Sequence, residues 1–156
     1  MGFDFEKLLD RTGLQILRAL QENARLSFSE LGRRVALSSP AVAERVRKME
    51  EMGIISGYHA RVEPGKVGLP IMAFILLKTQ AKKYPDLISL ARRLPEILEC
   101  HHVSGGESLV IKSVVSSIPH LEELIEKLNP FGETSTLVVL SSPVDKQALD
   151  LGEKFD

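Results

Sequence analysis

The chain has 156 residues, of which 44% are hydrophobic and 26% charged, and its formal net charge at pH 7 is −1. This composition is typical of a folded globular protein and excludes a disordered or fibrous chain. No apolar run approaches the ~20 residues of a membrane-spanning helix, and the first six residues lack the features of a signal peptide. One cysteine cannot form an internal disulfide. We therefore expect one or two small domains in a reducing cytoplasm.

The first third of the chain predicts three short helices. Apolar residues recur at helical spacing over residues 12–22 and predict the first helix. Ser27 followed by Glu30 has the sequence of a capping box, so a second helix begins after Ser27. Ser38-Ser39-Pro40 predicts the start of a third helix, because serine caps a helix N-terminus and proline in the first turn loses no hydrogen bond. Gly53 stands where a left-handed residue would end that helix.

The short link between the second and third helices predicts a helix-turn-helix. On a helical wheel of the third helix, Val42 and Val46 face inward and the opposite side carries Glu44, Arg47 and Lys48. An arginine there can donate two hydrogen bonds to a guanine edge, whereas a lysine is better suited to a phosphate. The glutamate can accept from a cytosine amino group or pair with the lysine one turn further along. We expect this helix to enter the major groove of double-stranded DNA.

Basic residues are concentrated in the same region. Between residues 25 and 48 there are six Lys and Arg residues and two Glu residues. A local basic surface on an otherwise neutral protein is typical of phosphate binding, although a small helical bundle with a solvated charged surface is the alternative. The residues that we expect to contact DNA are Arg33, Arg34, Ser38, Ser39, Pro40, Ala41, Glu44, Arg45, Arg47 and Lys48.

The hydrophobic pattern changes after Gly53. Residues 54–62 predict a short connecting strand with a kink at Gly57, and a linker runs to residue 69. The elements predicted after the linker are strands at Ile71–Thr79, Ile97–Val103, Leu109–Val115 and Thr134–Leu140 and helices at Asp86–Leu94 and Ile118–Leu128. This βαββαβ order is typical of a ferredoxin-like α+β fold with two helices on one face of a sheet. The other face is apolar, which predicts contact with another subunit.

The predicted domain boundaries follow from these patterns. We expect a helix-turn-helix domain over residues 1–53, a connecting strand and linker over 54–69, and a ligand-binding and oligomerisation domain over 70–142. Residues 143–156 predict a polar C-terminal tail.

Several motifs carry a family resemblance. Ala24-Arg25-Leu26-Ser27, Glu30-Leu31-Gly32, Gly53-Ile54-Ile55 and the segment Thr134–Leu140 resemble the Lrp/AsnC (leucine-responsive, feast/famine) regulators in order and spacing. The resemblance implies an N-terminal winged-type helix-turn-helix and a C-terminal βαββαβ effector domain. It also implies homodimers, often assembled into octamers, and transcriptional regulation tuned by amino acids bound between dimers.

The sequence departs from the family pattern at two places. Gly13 stands where the family often has aspartate, so Asp10 or Thr12 must cap the first helix instead. A hairpin that usually reads Gly-x-Tyr-Asp ends here in Ser108, which lacks the negative charge for an amino acid's ammonium group, although Glu107 beside it could supply one. The effector-binding residues that the resemblance implies are Ser104, Gly105, Gly106, Glu107, Ser108, Thr134 and Thr136.

Other groups of chemically reactive or metal-binding residue types predict no site of their own. Cys100 and His102 share one face of a predicted strand while His101 points the other way, and two ligands do not complete a metal site. We expect no catalytic residues, no cofactor and no metal, and we do not expect an enzyme. A DNA-bending architectural protein without a ligand and a small-molecule-binding oligomer remain as alternatives. In each case we expect a cytoplasmic protein, associated with the nucleoid if it binds DNA.

Overall fold

The computed structural model describes residues 7–106, 108–145 and 148–152 and divides into two compact units. The helical unit comprises the chain up to Ala60 together with the residues from Val144 onward. The sheet unit comprises Arg61–Pro143. Of the predicted C-terminal tail, the described residues 144–145 and 148–152 belong to the helical unit, and residues 146–147 and 153–156 lie outside the described structure.

The helical unit contains the three helices that the sequence predicts. They are α1 (Arg11–Glu22), α2 (Phe28–Val35) and α3 (Ser39–Glu51). Each begins at a side-chain cap: Asp10 accepts from the Gly13 amide, Ser27 from Glu30 and Ser38 from Ala41. The capping box at Ser27 and Glu30 is confirmed, and Asp10 is the residue that caps α1. The core residues of this unit are Ile16, Ala19, Leu20, Leu31, Val35, Val42 and Val46.

The predicted connecting strand at residues 54–62 does not form within a single chain. Residues 54–55 are a bend, residues 56–62 have no strand pairing in the described structure, and a single 3-10 turn follows at Pro64–Val67. The physical reason is that a strand needs a partner, and these residues find none within one chain. Gly53 has φ +71°, and the amides of Ile54 and Ile55 both donate to the Met49 carbonyl, so α3 ends as predicted.

The sheet unit has the predicted βαββαβ order. Its elements are β1 (Ile71–Thr79), the 3-10 turn Ala81–Lys83, α4 (Tyr84–Ala91), β2 (Ile97–His102), β3 (Leu109–Val115), α5 (Ile118–Leu128), the 3-10 turn Asn129–Phe131 and β4 (Gly132–Val138). The strands are antiparallel in the order β2-β3-β1-β4. The core lies between the sheet and its helices and includes Ala73, Ile75, Leu77, Leu87, Ile111, Leu121, Leu124 and Leu128.

Two elements of the sheet unit begin earlier than predicted. Helix α4 starts at Tyr84 rather than Asp86, because Pro85 fits its first turn, and it ends at Ala91, four residues before Pro95. Strand β4 spans Gly132–Val138 rather than Thr134–Leu140. A Cβ at Gly132 would lie 2.0 Å from the Lys78 carbonyl oxygen, so β4 can start beside β1 only with glycine there.

Candidate DNA-binding and effector sites

The turn between α2 and α3 sets the position of α3. Gly32 lies against this turn, and a Cβ there would lie 2.5 Å from the Leu37 carbonyl oxygen. Ala36 closes α2 with φ 55°, in the left-handed region. Val42, Val46 and Met49 are fully buried, so the opposite side of α3 faces outward, as the helical wheel predicts.

The predicted DNA-contacting residues lie along α2, the turn and α3. Arg33, Arg34, Ser38, Ser39, Pro40, Glu44, Arg47 and Lys48 are exposed, whereas Ala41 and Arg45 are half-buried. Ser38 and Pro40 start a helix whose first turn is exposed, and the free amides of a helix N-terminus suit a phosphate. Eight of the ten predicted residues are therefore exposed to solvent.

Arg47 is held by two carboxylates of its own helix. Its Nε and Nη2 donate to the two oxygens of Glu44 at 3.0 and 2.7 Å, and its Nη1 donates to Glu51. The hydrogen bond from Arg47 lowers the pKa of the Glu44 carboxyl, and the Glu44 carboxylate raises the pKa of the arginine. The sequence left Glu44 to accept from a cytosine or to pair with Lys48; the structure has Lys48 at 3.6 Å and, in addition, the closer Arg47 contact, which was not predicted.

Arg45 is tied to the start of α1. Its Nη1 and Nη2 donate to the two carboxylate oxygens of Asp10, each at 2.8 Å, and Asp10 also accepts from the Gly13 amide. Burial raises the pKa of Asp10, but the Arg45 hydrogen bond and the backbone amides outweigh it and hold the pKa below its ordinary value. The guanidinium of Arg45 thus connects α3 to α1 across 35 positions of sequence, a separation at which periodicity gives no signal.

The predicted effector residues lie in two places in the sheet unit. Ser104, Gly105, Gly106 and Ser108 belong to the β2–β3 hairpin, and Glu107 lies outside the described residues. The Ser108 hydroxyl accepts from the Thr79 amide at 3.1 Å and donates to the Thr79 carbonyl at 3.3 Å. These bonds hold the hairpin against the end of β1 and engage the hydroxyl that we expected to face a ligand.

Thr134 and Thr136 lie on β4, at the edge of the sheet opposite β2. They pair with Leu77 and Ile75 of β1, whose side chains are buried under the helices, and are themselves half-buried. Thr134 also donates to the Asn129 side chain at 3.0 Å. Both threonines therefore face the helix-covered side of the sheet.

A cavity of about 370 Å³ opens beside the hairpin. Its described lining residues are Thr79, Ala81, Tyr84, His102 and Ser108. Sequence reasoning identified only Ser108 among them, because the others are brought together by the hairpin and the start of α4. The Tyr84 and His102 rings lie 5.3 Å apart between centroids and form one wall.

No group of three or more His, Cys, Asp or Glu residues with metal-binding geometry occurs in residues 7–106, 108–145 and 148–152. Cys100 is a half-buried free thiol, and its burial raises the pKa of that thiol. Over the same ranges, no helix has the length and apolarity that crossing a membrane requires.

A helix-turn-helix with an exposed third helix, joined to a βαββαβ unit with a cavity, defines the class of ligand-responsive DNA-binding regulators. Comparison with known proteins agrees: a profile for winged helix-turn-helix DNA-binding domains matches residues 9–56, and one for the Lrp/AsnC ligand binding domain matches residues 72–149. The chain belongs to the Lrp/AsnC family of transcriptional regulators and is a DNA-binding regulator with a ligand-binding domain, not an enzyme.

The matches to individual relatives cover most of the chain. The HTH-type transcriptional regulator YezC of Bacillus subtilis is 43% identical over 134 residues, covering 86% of this chain and 95% of the relative. The solved structure of B. subtilis LrpC superposes with a TM-score of 0.83 at 34% identity and covers 88% of this chain and 98% of that one. The transcriptional regulator NMB0573 from Neisseria meningitidis, solved with L-methionine, has a TM-score of 0.85 at 27% identity, with 91% and 96% coverage.

Proposed function

We propose that α3 reads operator DNA in the major groove with the exposed surface formed by residues 38–48. The observation that carries this proposal is the orientation of α3, whose valines are buried while Glu44, Arg47 and Lys48 face outward. Arg33 and Arg34 at the end of α2 would bind phosphates beside the groove. Arg45 is better placed to hold α3 in position than to contact DNA, because Asp10 already occupies its guanidinium. As a DNA-binding regulator the protein would act in the cytoplasm, on the nucleoid.

Arg47 would change partners when DNA binds. Its ion pairs with Glu44 and Glu51 are half-exposed, and exposed ion pairs contribute little to stability. A bidentate contact with guanine contributes roughly 1–3 kcal/mol of base discrimination, so the exchange is favourable at the right sequence. Glu44 would then be released to accept from a neighbouring cytosine.

The test of α3 is Arg47→Ala. Operator duplexes are first selected from a random library with the parent protein, and affinity is then measured by gel-shift titration. We expect a loss of roughly tenfold to a hundredfold for the selected sequence and a smaller preference over random DNA.

Arg93→Ala is the matched control, because it removes the same charge from an exposed position in the sheet unit. Unchanged affinity and unchanged base preference in Arg47→Ala would show that α3 does not read DNA through this side chain.

The sheet face opposite the helices supports a homodimer. Phe74 pairs in register with Leu137, which is 55% exposed, and Leu76 lies on the same apolar face. A single chain leaves this face uncovered, so we propose that two copies bury it against each other and that dimers assemble further into octamers.

Light scattering after size exclusion tests this assembly. We expect Leu137→Glu to shift the mass towards the monomer, because it places a charge in the proposed interface. Ile118→Glu is the control, since Ile118 is 50% exposed at the start of α5 on the other side of the sheet. A dimer that survives Leu137→Glu contradicts the proposed interface.

We also propose that the cavity beside the β2–β3 hairpin binds an amino acid such as L-methionine, the ligand of the Neisseria protein. Its volume of about 370 Å³ is that of a small-molecule site, and Tyr84 and His102 offer polar groups beside an aromatic wall. Of the described hairpin residues that the resemblance implies, Ser108 lines it, whereas Ser104, Gly105 and Gly106 do not. Thr134 and Thr136 face the same helix-covered side of the sheet but are not among the residues that line this cavity.

Calorimetric titration with an amino-acid panel tests the effector proposal. We expect L-methionine to bind and His102→Ala to weaken it, whereas His101→Ala, on the opposite face of β2, does not. Because Ser108 is engaged by Thr79 and carries no charge, a panel without any binding amino acid would favour the ligand-free, DNA-bending role instead.

A further inference from the structure

The chain returns to α1 after the sheet unit is complete. The Gln21 side-chain amide donates from Nε2 to the Leu149 carbonyl at 3.3 Å, and its Oε1 accepts from the Leu149 amide at 2.8 Å. One turn earlier on the same helix, Arg18 Nη2 donates to the Gly152 carbonyl at 3.0 Å. These contacts join residues 128 and 134 positions apart. Two side chains on one face of α1 therefore hold a short segment by its backbone.

An apolar groove of about 440 Å³ lies along α1 at this place. Leu14 and Leu17 of α1 line it from one side, and Ile55 and Tyr58 of the segment after α3 line it from the other. Leu149 and Leu151 also line it, and of the two Leu151 is half-buried whereas residue Leu149 is 75% exposed. The segment is therefore held by hydrogen bonds at residues 149 and 152, and its more buried apolar side chain is that of residue 151.

We propose that the outer face of α1 is a docking surface for residues 148–152 of the same chain, and that this strap holds α1 in the DNA-binding arrangement of the helical unit. The core of the unit contacts the inner side of α1 through Ile16, Ala19 and Leu20, and the strap fixes its outer side. The chain passes from the helical unit to the sheet unit at residues 60–61 and returns at residues 143–144. This proposal does not depend on which side chains of α3 contact DNA.

Hydrogen exchange measured by mass spectrometry on the full-length protein tests the strap. A variant ending at Asp145 loses the strap, and we expect the amides of α1 to exchange roughly tenfold faster while those of α5 in the sheet unit are unchanged. A second variant ending at Gly152 keeps the strap and should exchange like the parent. Equal exchange of α1 in the parent and in the Asp145 variant would overturn the proposal.

Substitutions at one side chain separate the strap from general effects of truncation. Gln21→Ala removes both bonds to Leu149, and Gln21→Glu keeps an acceptor for the amide but sets a carboxylate against the Leu149 carbonyl. Both should speed the exchange of α1. Gln15→Ala is the matched control, because Gln15 lies on α1 and makes no side-chain hydrogen bond among the described residues. Equal effects at positions 15 and 21 would contradict the strap.

Isotope-filtered NMR on a refolded mixture of ¹³C-labelled and ¹⁵N-labelled chains tests the same-chain assignment. Contacts between Gln21 and Leu149 should occur only within one labelled chain. Contacts between differently labelled chains would show that the strap comes from a second copy and would overturn the assignment.

Discussion

The contact between Asp10 and Arg45 combines two roles in one carboxylate. Asp10 caps α1 and also fixes a guanidinium of α3, so the first and third helices share one electrostatic anchor. Neither residue is deeply buried, with side-chain exposures of 43% and 28%, so water screens part of the interaction. The anchor therefore contributes modestly to stability and chiefly sets where α3 lies.

A pH-dependent stability follows from this anchor. The pKa of Asp10 is lower in the folded protein than in the unfolded chain, so its contribution is fully present above the unfolded value of about 4. It is lost as the pH falls through the lower folded value. We expect Asp10→Asn to reduce the free energy of unfolding by about 1 kcal/mol at pH 7 in urea titrations.

The same substitution should have a smaller effect at pH 3, because this pH lies below the unfolded pKa of about 4, so the unfolded parent chain already binds protons at this carboxyl. An equal loss of stability at pH 7 and pH 3 would show that the charge of the Asp10 carboxylate, and so its ion pair with Arg45, does not cause the loss.

The turn between α2 and α3 is the element on which the DNA-binding surface depends. Gly32→Ala places a Cβ 2.5 Å from the Leu37 carbonyl oxygen, which forces the turn apart. We expect a loss of about 1–3 kcal/mol in the free energy of unfolding, measured by urea denaturation, together with weaker operator binding.

Ala36→Gly in the same turn should act in the opposite direction. Ala36 has φ 55°, a conformation that glycine adopts without steric cost, so we expect unchanged stability or a gain of up to about 1 kcal/mol. A loss of stability in both variants would mean that the turn is sensitive to any change, not to the two backbone features named here.

Local signals account for the elements that sequence reasoning predicted correctly. The Ser27–Glu30 capping box, Ser38 with Pro40, and Gly53 fix the ends of α2 and α3 through atoms a few residues apart. The residues of segment 54–62 favour a strand, but within the described part of a single chain no strand pairs with them, so local preference alone does not form one.

Contacts between distant parts of the chain could not be predicted in this way. The alternation of side chains along a strand correctly placed Thr134 and Thr136 on one face of β4. It could not predict that this face lies under the helices. The Asp10–Arg45 pair and the Gln21–Leu149 bonds depend on how distant segments fold together, and no periodicity connects them.

At the scale of the whole molecule, we expect salt to weaken DNA binding by the helical unit but not amino-acid binding by the sheet unit. The helical unit carries the basic surface, so operator affinity should fall steeply with salt concentration, because bound Lys and Arg residues release counterions from DNA. Amino-acid binding in the sheet unit should change little over the same range. Filter-binding and calorimetric titrations across a salt series compare the two, and DNA affinity independent of salt would contradict a phosphate-binding surface.

The order of synthesis gives the helical unit an unusual history. Helices α1, α2 and α3 leave the ribosome first and can pack at once, but the backbone groups that bond Gln21 and Arg18 emerge only after the whole sheet unit has been translated. During translation the helical unit therefore folds without the strap. Its first helix is stabilised by the strap only after the sheet unit has left the ribosome.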